Sequence, residues 1–226
     1  MGYTHYWYRP LDIPEDVFQA IRSDFERLVL PLADYGVHLG AGLGEDLPLF
    51  TDDYICFNGV KSCGHPANKA IGIPWPTPNA CGIGPSATAI DEGSGDLMTK
   101  VRHRCCDGDC SYETFFFPRC LDPDFALEPN ERGLYFGFTK TAFRPYDVAV
   151  TAALLIAKRN LKDQLMVYSD GNDGHWSDAK RICQQALGYG EWFGIVDEEV
   201  EVQSDEGVPE KASQPTLIEI RPPTLA

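Results

Sequence analysis

Residues 135–187 read YFGFTKTAFRPYDVAVTAALLIAKRNLKDQLMVYSDGNDGHWSDAKRICQQAL, and this stretch decides the fold. Two strand-like runs, residues 134–138 and 164–168, each pass through a polar corner into a helix-like run. The first helix, about residues 146–161, is apolar on nearly every side, with Val148, Ala149, Val150, Ala152, Ala153, Leu154, Leu155, Ile156 and Ala157 in succession. A helix of that kind belongs in a core. The second, residues 177–187, is amphipathic: Ala179, Ile182, Cys183, Ala186 and Leu187 share one face, and Gly188 is a natural stop. Strand, buried helix and strand suit a βαβ crossover.

Outward from this unit, the opening GYTHYWYRP has the alternation of a strand, with Thr4, Tyr6 and Tyr8 on one face and Tyr3, His5 and Trp7 on the other. A helix follows. Pro14, Glu15 and Asp16 suit its first turn, and Val17, Phe18, Ile21, Phe25, Leu28 and Val29 form its buried stripe, ending near Pro31. Residues 53–60 and 112–118 read as further strands, the former entering a turn at Asn58-Gly59. The expected fold is α+β: a mixed or mostly antiparallel sheet of five to seven strands covered by about three helices. One domain spans 1–196, with a long irregular insertion at about 61–100, and 197–226 form an acidic C-terminal segment with an edge strand at 216–220.

Composition limits what the chain can bind. With 19 basic and 34 acidic residues the net charge is −15, which argues against a duplex nucleic-acid binder, since Lys and Arg must displace counterions from phosphate. Residues 197–210 carry seven acidic groups and no basic one. A solvated tail is the simple reading, and a basic protein partner is the other. No apolar run reaches the roughly 18–20 residues of a membrane span, and the N-terminus lacks the pattern of a signal peptide. A cytoplasmic protein without a membrane partner is expected.

Two constellations carry chemistry. At the first corner, Lys140, Thr141 and Arg144 lie where a strand meets a helix N-terminus, a setting for a small nucleotide- or phosphate-like anion. At the second, Asp170 and His175 could move protons beside that pocket, joined by His5 from the opening strand. The competing reading is turn and cap chemistry, with an Arg144–Asp147 pair and Ser177 as a helix cap. Neither the glycines of residues 36–44 nor DGNDG fits a phosphate loop or a calcium loop.

The second constellation is sulfur and imidazole: Cys63, His65, Cys81, His103, Cys105, Cys106 and Cys110. Cys63, His65, Cys105 or Cys106, and Cys110 would make a closed tetrahedral zinc site and would hold a Gly/Pro-rich stretch in order. No paired C-x₂-C is present, so ordinary reduced thiols are the commoner outcome for such spacing, and a disulfide is the third reading.

The fragments GYTHYW, FNG at residues 57–59, RPYD at 144–147, and SDG with a following Trp at 169–176 resemble a set of uncharacterised fungal and phage hypothetical proteins. That resemblance brings no known activity, so it assigns no catalytic residue. Two expectations stand: a binder of a small anion at the corners, using acid–base chemistry if an enzyme, or a non-enzymatic structural or interaction module held by zinc or by packing, its acidic tail meeting a basic partner.

Overall fold

The computed structural model describes residues 3–65, 69–71, 104–106, 108–196 and 199–202. At its centre is β1 (Thr4–Arg9). Strands β8 (Tyr135–Lys140) and β9 (Met166–Ser169) pair with it antiparallel on either side. They therefore run parallel to each other with β1 between them. Helix α2 (Asp147–Leu161) makes the crossover that joins them, passing over one strand. Strands β10 (Phe193–Val196) and β11 (Glu199–Val202) extend this five-stranded sheet beyond β9.

Alternation decides what faces where. Trp7 and Val167 point into the core together with His5, Arg9 and Ser169, while Tyr6, Tyr8 and Tyr168 remain half-exposed on the opposite face. The inward face lies under α1 (Glu15–Asp34), α2 and α3 (Ser177–Leu187), which pack on one another. Helix α2 is buried along nearly its whole length, as its all-round apolarity requires.

A second sheet has β4 (Tyr54–Gly59) at its middle. It pairs antiparallel with β2 (Leu39–Gly40), β3 (Leu49–Phe50) and β7 (Phe115–Pro118). Aromatic rings join the two sheets, Trp7 meeting Phe115 at 5.5 Å and Phe117 at 6.1 Å, and Phe57 of the second sheet stacks on Phe25 of α1 at 4.9 Å. Gly137 leaves room for this, since a Cβ there would lie 2.6 Å from the Trp7 indole nitrogen. A two-stranded ribbon, β5 (Lys69–Ile71) with β6 (Arg104–Cys106), completes the described residues.

The fold is α+β, with antiparallel pairing throughout the described residues. More strands form than the sequence suggests, because runs of two to four residues lack a readable period. Helix α1 continues through Pro31 to Asp34, so the proline sits inside its last turns. Asn58-Gly59 is no turn: both residues belong to β4. Ser177 does not cap α3. Asn172 instead caps the short turn Asp173–Trp176 through a reciprocal pair of bonds with His175. Most of 61–100 and the expected strand at 216–220 lie outside the described residues, as do Cys81 and His103.

Candidate metal centre

Strand β4 ends against the loop that carries Cys110, and one side chain fixes that meeting. Asn58 is buried, donates to the carbonyls of Gly42 and Tyr112 (both 3.0 Å), and accepts from the amides of Gly59 (2.8 Å) and Tyr112 (2.9 Å). Four bonds satisfy the whole amide, so the clamp carries no desolvation penalty. The Cys110 amide then donates to the Val60 carbonyl at 3.1 Å. Gly59 must be glycine here. A Cβ at that position would stand 1.9 Å from the Cys110 carbonyl oxygen.

The chain turns beyond β4 and delivers Cys63 and His65, while the ribbon strand β6 delivers Cys106. The ligand atoms of Cys63, His65, Cys106 and Cys110 all lie within 4.8 Å of one another. The Cys63 and Cys106 sulfurs are 3.0 Å apart, and the Cys110 sulfur is 3.3 Å from His65 Nδ1. A disulfide needs about 2.05 Å, and these thiols are free. Tetrahedral zinc with sulfurs at about 2.3 Å spaces its ligand atoms by about 3.8 Å. The cluster is within a small adjustment of that shell, and three sulfurs with one imidazole nitrogen are a donor set zinc prefers.

Backbone amides support thiolates at this point. The Gly108 N–H donates to the Cys106 sulfur at 3.2 Å, and the His65 N–H reaches the Cys63 sulfur. Burial pushes the Cys63 thiol up, but the bonds from Cys106, His65 and Cys110 outweigh it and hold it below the ordinary range. Burial and the neighbouring sulfurs push Cys110 strongly up. Without a cation, then, the sulfurs share protons, and a divalent ion supplies the charge that lets all three ionise. Cys105 pairs through its backbone with Ala70.

Two residues before Cys106, on the same side of β6, Arg104 enters the protein interior. Its guanidinium is wholly buried, donating to Asp147 Oδ2 (2.9 Å), Asp178 Oδ2 (2.7 Å) and the His175 carbonyl (2.6 Å). It also lies 4.7 Å from the centre of the Phe143 ring. Burial opposes its charge, but the two carboxylates outweigh that and raise its pKa. Asp147 accepts as well from Thr141 Oγ1 (2.6 Å) and pairs with His5 Nε2 (2.7 Å). Burial alone would raise the Asp147 carboxyl. Arg104, His5 and Thr141 instead bring it down to about 2.

An ionised Asp147 fixes the rest of the chain of bonds. His5 Nε2 bonds to it, His5 Nδ1 lies 3.0 Å from the Ser169 hydroxyl, and that hydroxyl accepts from the Gly171 amide at 2.9 Å. Serine, histidine and aspartate in sequence invite comparison with a nucleophile relay. The geometry is structural. Ser169 is 3% exposed, its oxygen is occupied, and the Tyr3 ring packs over this end of the network.

The two corners do meet: Lys140 faces Thr4 and Ser169 faces His5 across β1. The side chains named there are engaged locally. Lys140 lies 3.8 Å from Glu113, Thr141 serves Asp147, and Arg144 donates to the Asp109 carbonyl at 3.2 Å, bracing the loop before Cys110. Asp147 pairs with Arg104 rather than with Arg144. Asp170 accepts from the Thr4 amide (2.9 Å) and the Tyr6 hydroxyl (3.3 Å), and His175 Nδ1 accepts from the Asn172 amide (3.0 Å). Tyr3, Phe143 and His175 pack edge to face between the corners.

Cations do gather elsewhere, around a cavity of about 530 Å³ lined by Arg132, Lys158, Arg159 and Lys162, with Asp163, Glu199 and Glu201 opposite. Three of the four sit at the C-terminal end of α2, where they complement its carbonyl dipoles.

Sequence reading missed the clamp made by Asn58, and Arg104 and Asp178 altogether. Arg104 left a signal only as the last of three cations, with Lys100 and Arg102, before Cys105 and Cys106. No described helix is long and apolar enough to cross a membrane. Comparison with family models, curated proteins and solved structures returns no match.

Proposed function

We propose that this chain is a zinc-binding structural module. Cys63, His65, Cys106 and Cys110 close the coordination shell with protein ligands, which leaves no position for a substrate or an activated water. The ion's task is mechanical: it fastens the β5–β6 ribbon to the end of β4 and so presents Arg104 to Asp147 and Asp178. The observation that carries the reading is the convergence of four donor atoms within 4.8 Å from two chain segments, residues 63–65 and 106–110. The internal bonds of Lys140, Thr141, Arg144, Asp170 and His175 give acid–base chemistry at the corners no comparable support.

Elemental analysis of protein purified without chelator should find about one zinc per chain, lost on acidification because thiolates and neutral imidazole are the binding forms. Cobalt replacing the zinc should show thiolate charge-transfer absorption, absent in Cys106→Ser and retained in Cys120→Ser, whose thiol is exposed and bonded to Asp12. Less than about a tenth of an equivalent of zinc, with an unfolding midpoint indifferent to chelator, would overturn the reading.

A further inference from the structure

The face of the central sheet turned away from the helices is an aromatic lattice. Cross-strand partners set its rows: Phe138, Tyr6 and Tyr168 form one, and Phe136, Tyr8 and Met166 the next. Ring centres lie 5.3 Å apart for Tyr8–Phe136, 5.8 Å for Phe136–Phe138 and 6.2 Å for Tyr6–Phe136. A groove of about 580 Å³ runs between Tyr6, Tyr8, Asn130, Phe136, Met166 and Tyr168. Phe138 is 49% exposed, and no described helix lies on this side. A contiguous aromatic patch of this kind on a central sheet marks a contact surface.

Charge decides what it contacts. Asp170 stands at one margin, bonded to the Tyr6 hydroxyl, and Glu199 stands at another, opposite Tyr168 in the strand register. Glu199 also begins the described part of the acidic run 197–210, which has no basic residue. The rings offer negative π-faces, the margins offer Asp170 and also Glu199, which shares its cavity with Arg132 and Lys158, and the chain as a whole carries −15. A nucleic acid strand would stack well on such rings but would be repelled. A second copy would meet the same charge. A planar guanidinium satisfies both features, since it stacks on tyrosine and pairs with a carboxylate.

We propose that this face binds an extended, arginine-bearing peptide segment of a partner protein, with guanidinium groups stacked on Tyr6, Tyr8 and Phe136 and paired to Asp170 and Glu199. The surface lies across the sheet from the His5–Asp147–Arg104 network, so the inference stands apart from the metal reading.

Fluorescence anisotropy with the full chain tests it, using a labelled peptide of alternating arginine and glycine, its lysine counterpart and poly(U). The arginine peptide should bind, with the lysine peptide about tenfold weaker. Tyr8→Ala and Phe138→Ser should each weaken it by about tenfold, and Glu199→Gln by somewhat less. Phe138→Ser removes an exposed ring, so an unchanged unfolding midpoint and far-UV spectrum certify its fold. Equal binding by wild type and both aromatic variants would reduce the effect to bulk charge and overturn the proposal. So would a preference for poly(U), self-association through this face, or binding that emerges only after deletion of residues 203–226, which would make the chain's own end the occupant.

Discussion

Replacing Arg104 with methionine isolates the connection between ribbon and core. The substitution keeps much of the side-chain volume but removes the three donors that reach Asp147, Asp178 and the His175 carbonyl. Both carboxylates are fully buried. Breaking one buried pair from a single side costs about 3–5 kcal/mol, because the remaining charge is left in a poor solvent. Asp147 keeps Thr141 and His5, and Asp178 keeps Arg181 at 3.8 Å, which lessens the share of each. A loss of about 4 kcal/mol at pH 7 follows, a large part of the 5–15 kcal/mol that domains possess. Urea unfolding followed by tryptophan fluorescence reads it, since Trp7 and Trp176 are both buried.

The pH dependence of the same variant separates lost charge from lost packing. Without Arg104, burial outweighs the Thr141 and His5 bonds that remain and should raise the carboxyl pKa of Asp147 above the unfolded value. The folded state then takes up protons as the pH falls, so its deficit against wild type should narrow between pH 7 and pH 5. The triple variant Arg104→Met/Asp147→Asn/Asp178→Asn should recover at least half of the loss, since no uncompensated charge remains. A cost below about 1 kcal/mol at pH 7, or a deficit identical at both pH values, would refute the account of the network as a buried charge balance.

Wild-type protein should behave oppositely in acid: with its folded pKa near 2, Asp147 contributes about 2 kcal/mol above pH 4, lost as the pH falls from about 4 to about 2. Asp147→Asn should flatten that part of an acid-unfolding curve. Gly59→Ala should cost about 1–3 kcal/mol, because the new methyl meets the rigid Cys110 carbonyl. It should also weaken zinc in a chelator competition by about tenfold, through displacement of Cys110.

Local pattern made the helices and the principal strands legible. Period and burial agree directly in β1, α2 and α3, where one face or every face must find the core. The Cys63, His65, Cys106 and Cys110 set was legible as donor chemistry, since only sulfur and imidazole in irregular chain suggest a metal. What could not be read was partnership. Asp147 lies three residues from Arg144 in the chain but pairs with Arg104, and Asp170 finds the Thr4 amide from the far end of the domain. Such choices depend on which strands become neighbours, and β1 lying between β8 and β9 has no local signature. Asn58-Gly59 misled for a related reason. The pair has turn chemistry, yet a buried clamp uses the same amide and the same missing Cβ.

The fragments THYW, FNG, RPYD and SDG with its following tryptophan, dispersed along the chain, supply His5, Asn58, Arg144, Asp147 and Ser169 to the metal loops and the network beneath them. Loop closure explains why fastening is needed there. Cys106 follows Cys63 by 43 positions, and closing a loop of that length costs about 3 kcal/mol. The ribbon β5–β6 has only three residues in each strand, and an isolated two-stranded ribbon is marginal in water. Burial of Arg104 adds the desolvation of a guanidinium, which its carboxylates roughly balance. Structural zinc contributes about 10–16 kcal/mol in small modules, several times the closure cost. On the proposed reading the ion would decide whether Arg104 reaches the core, and chelation should leave Asp147 and Asp178 as buried charges without their guanidinium partner.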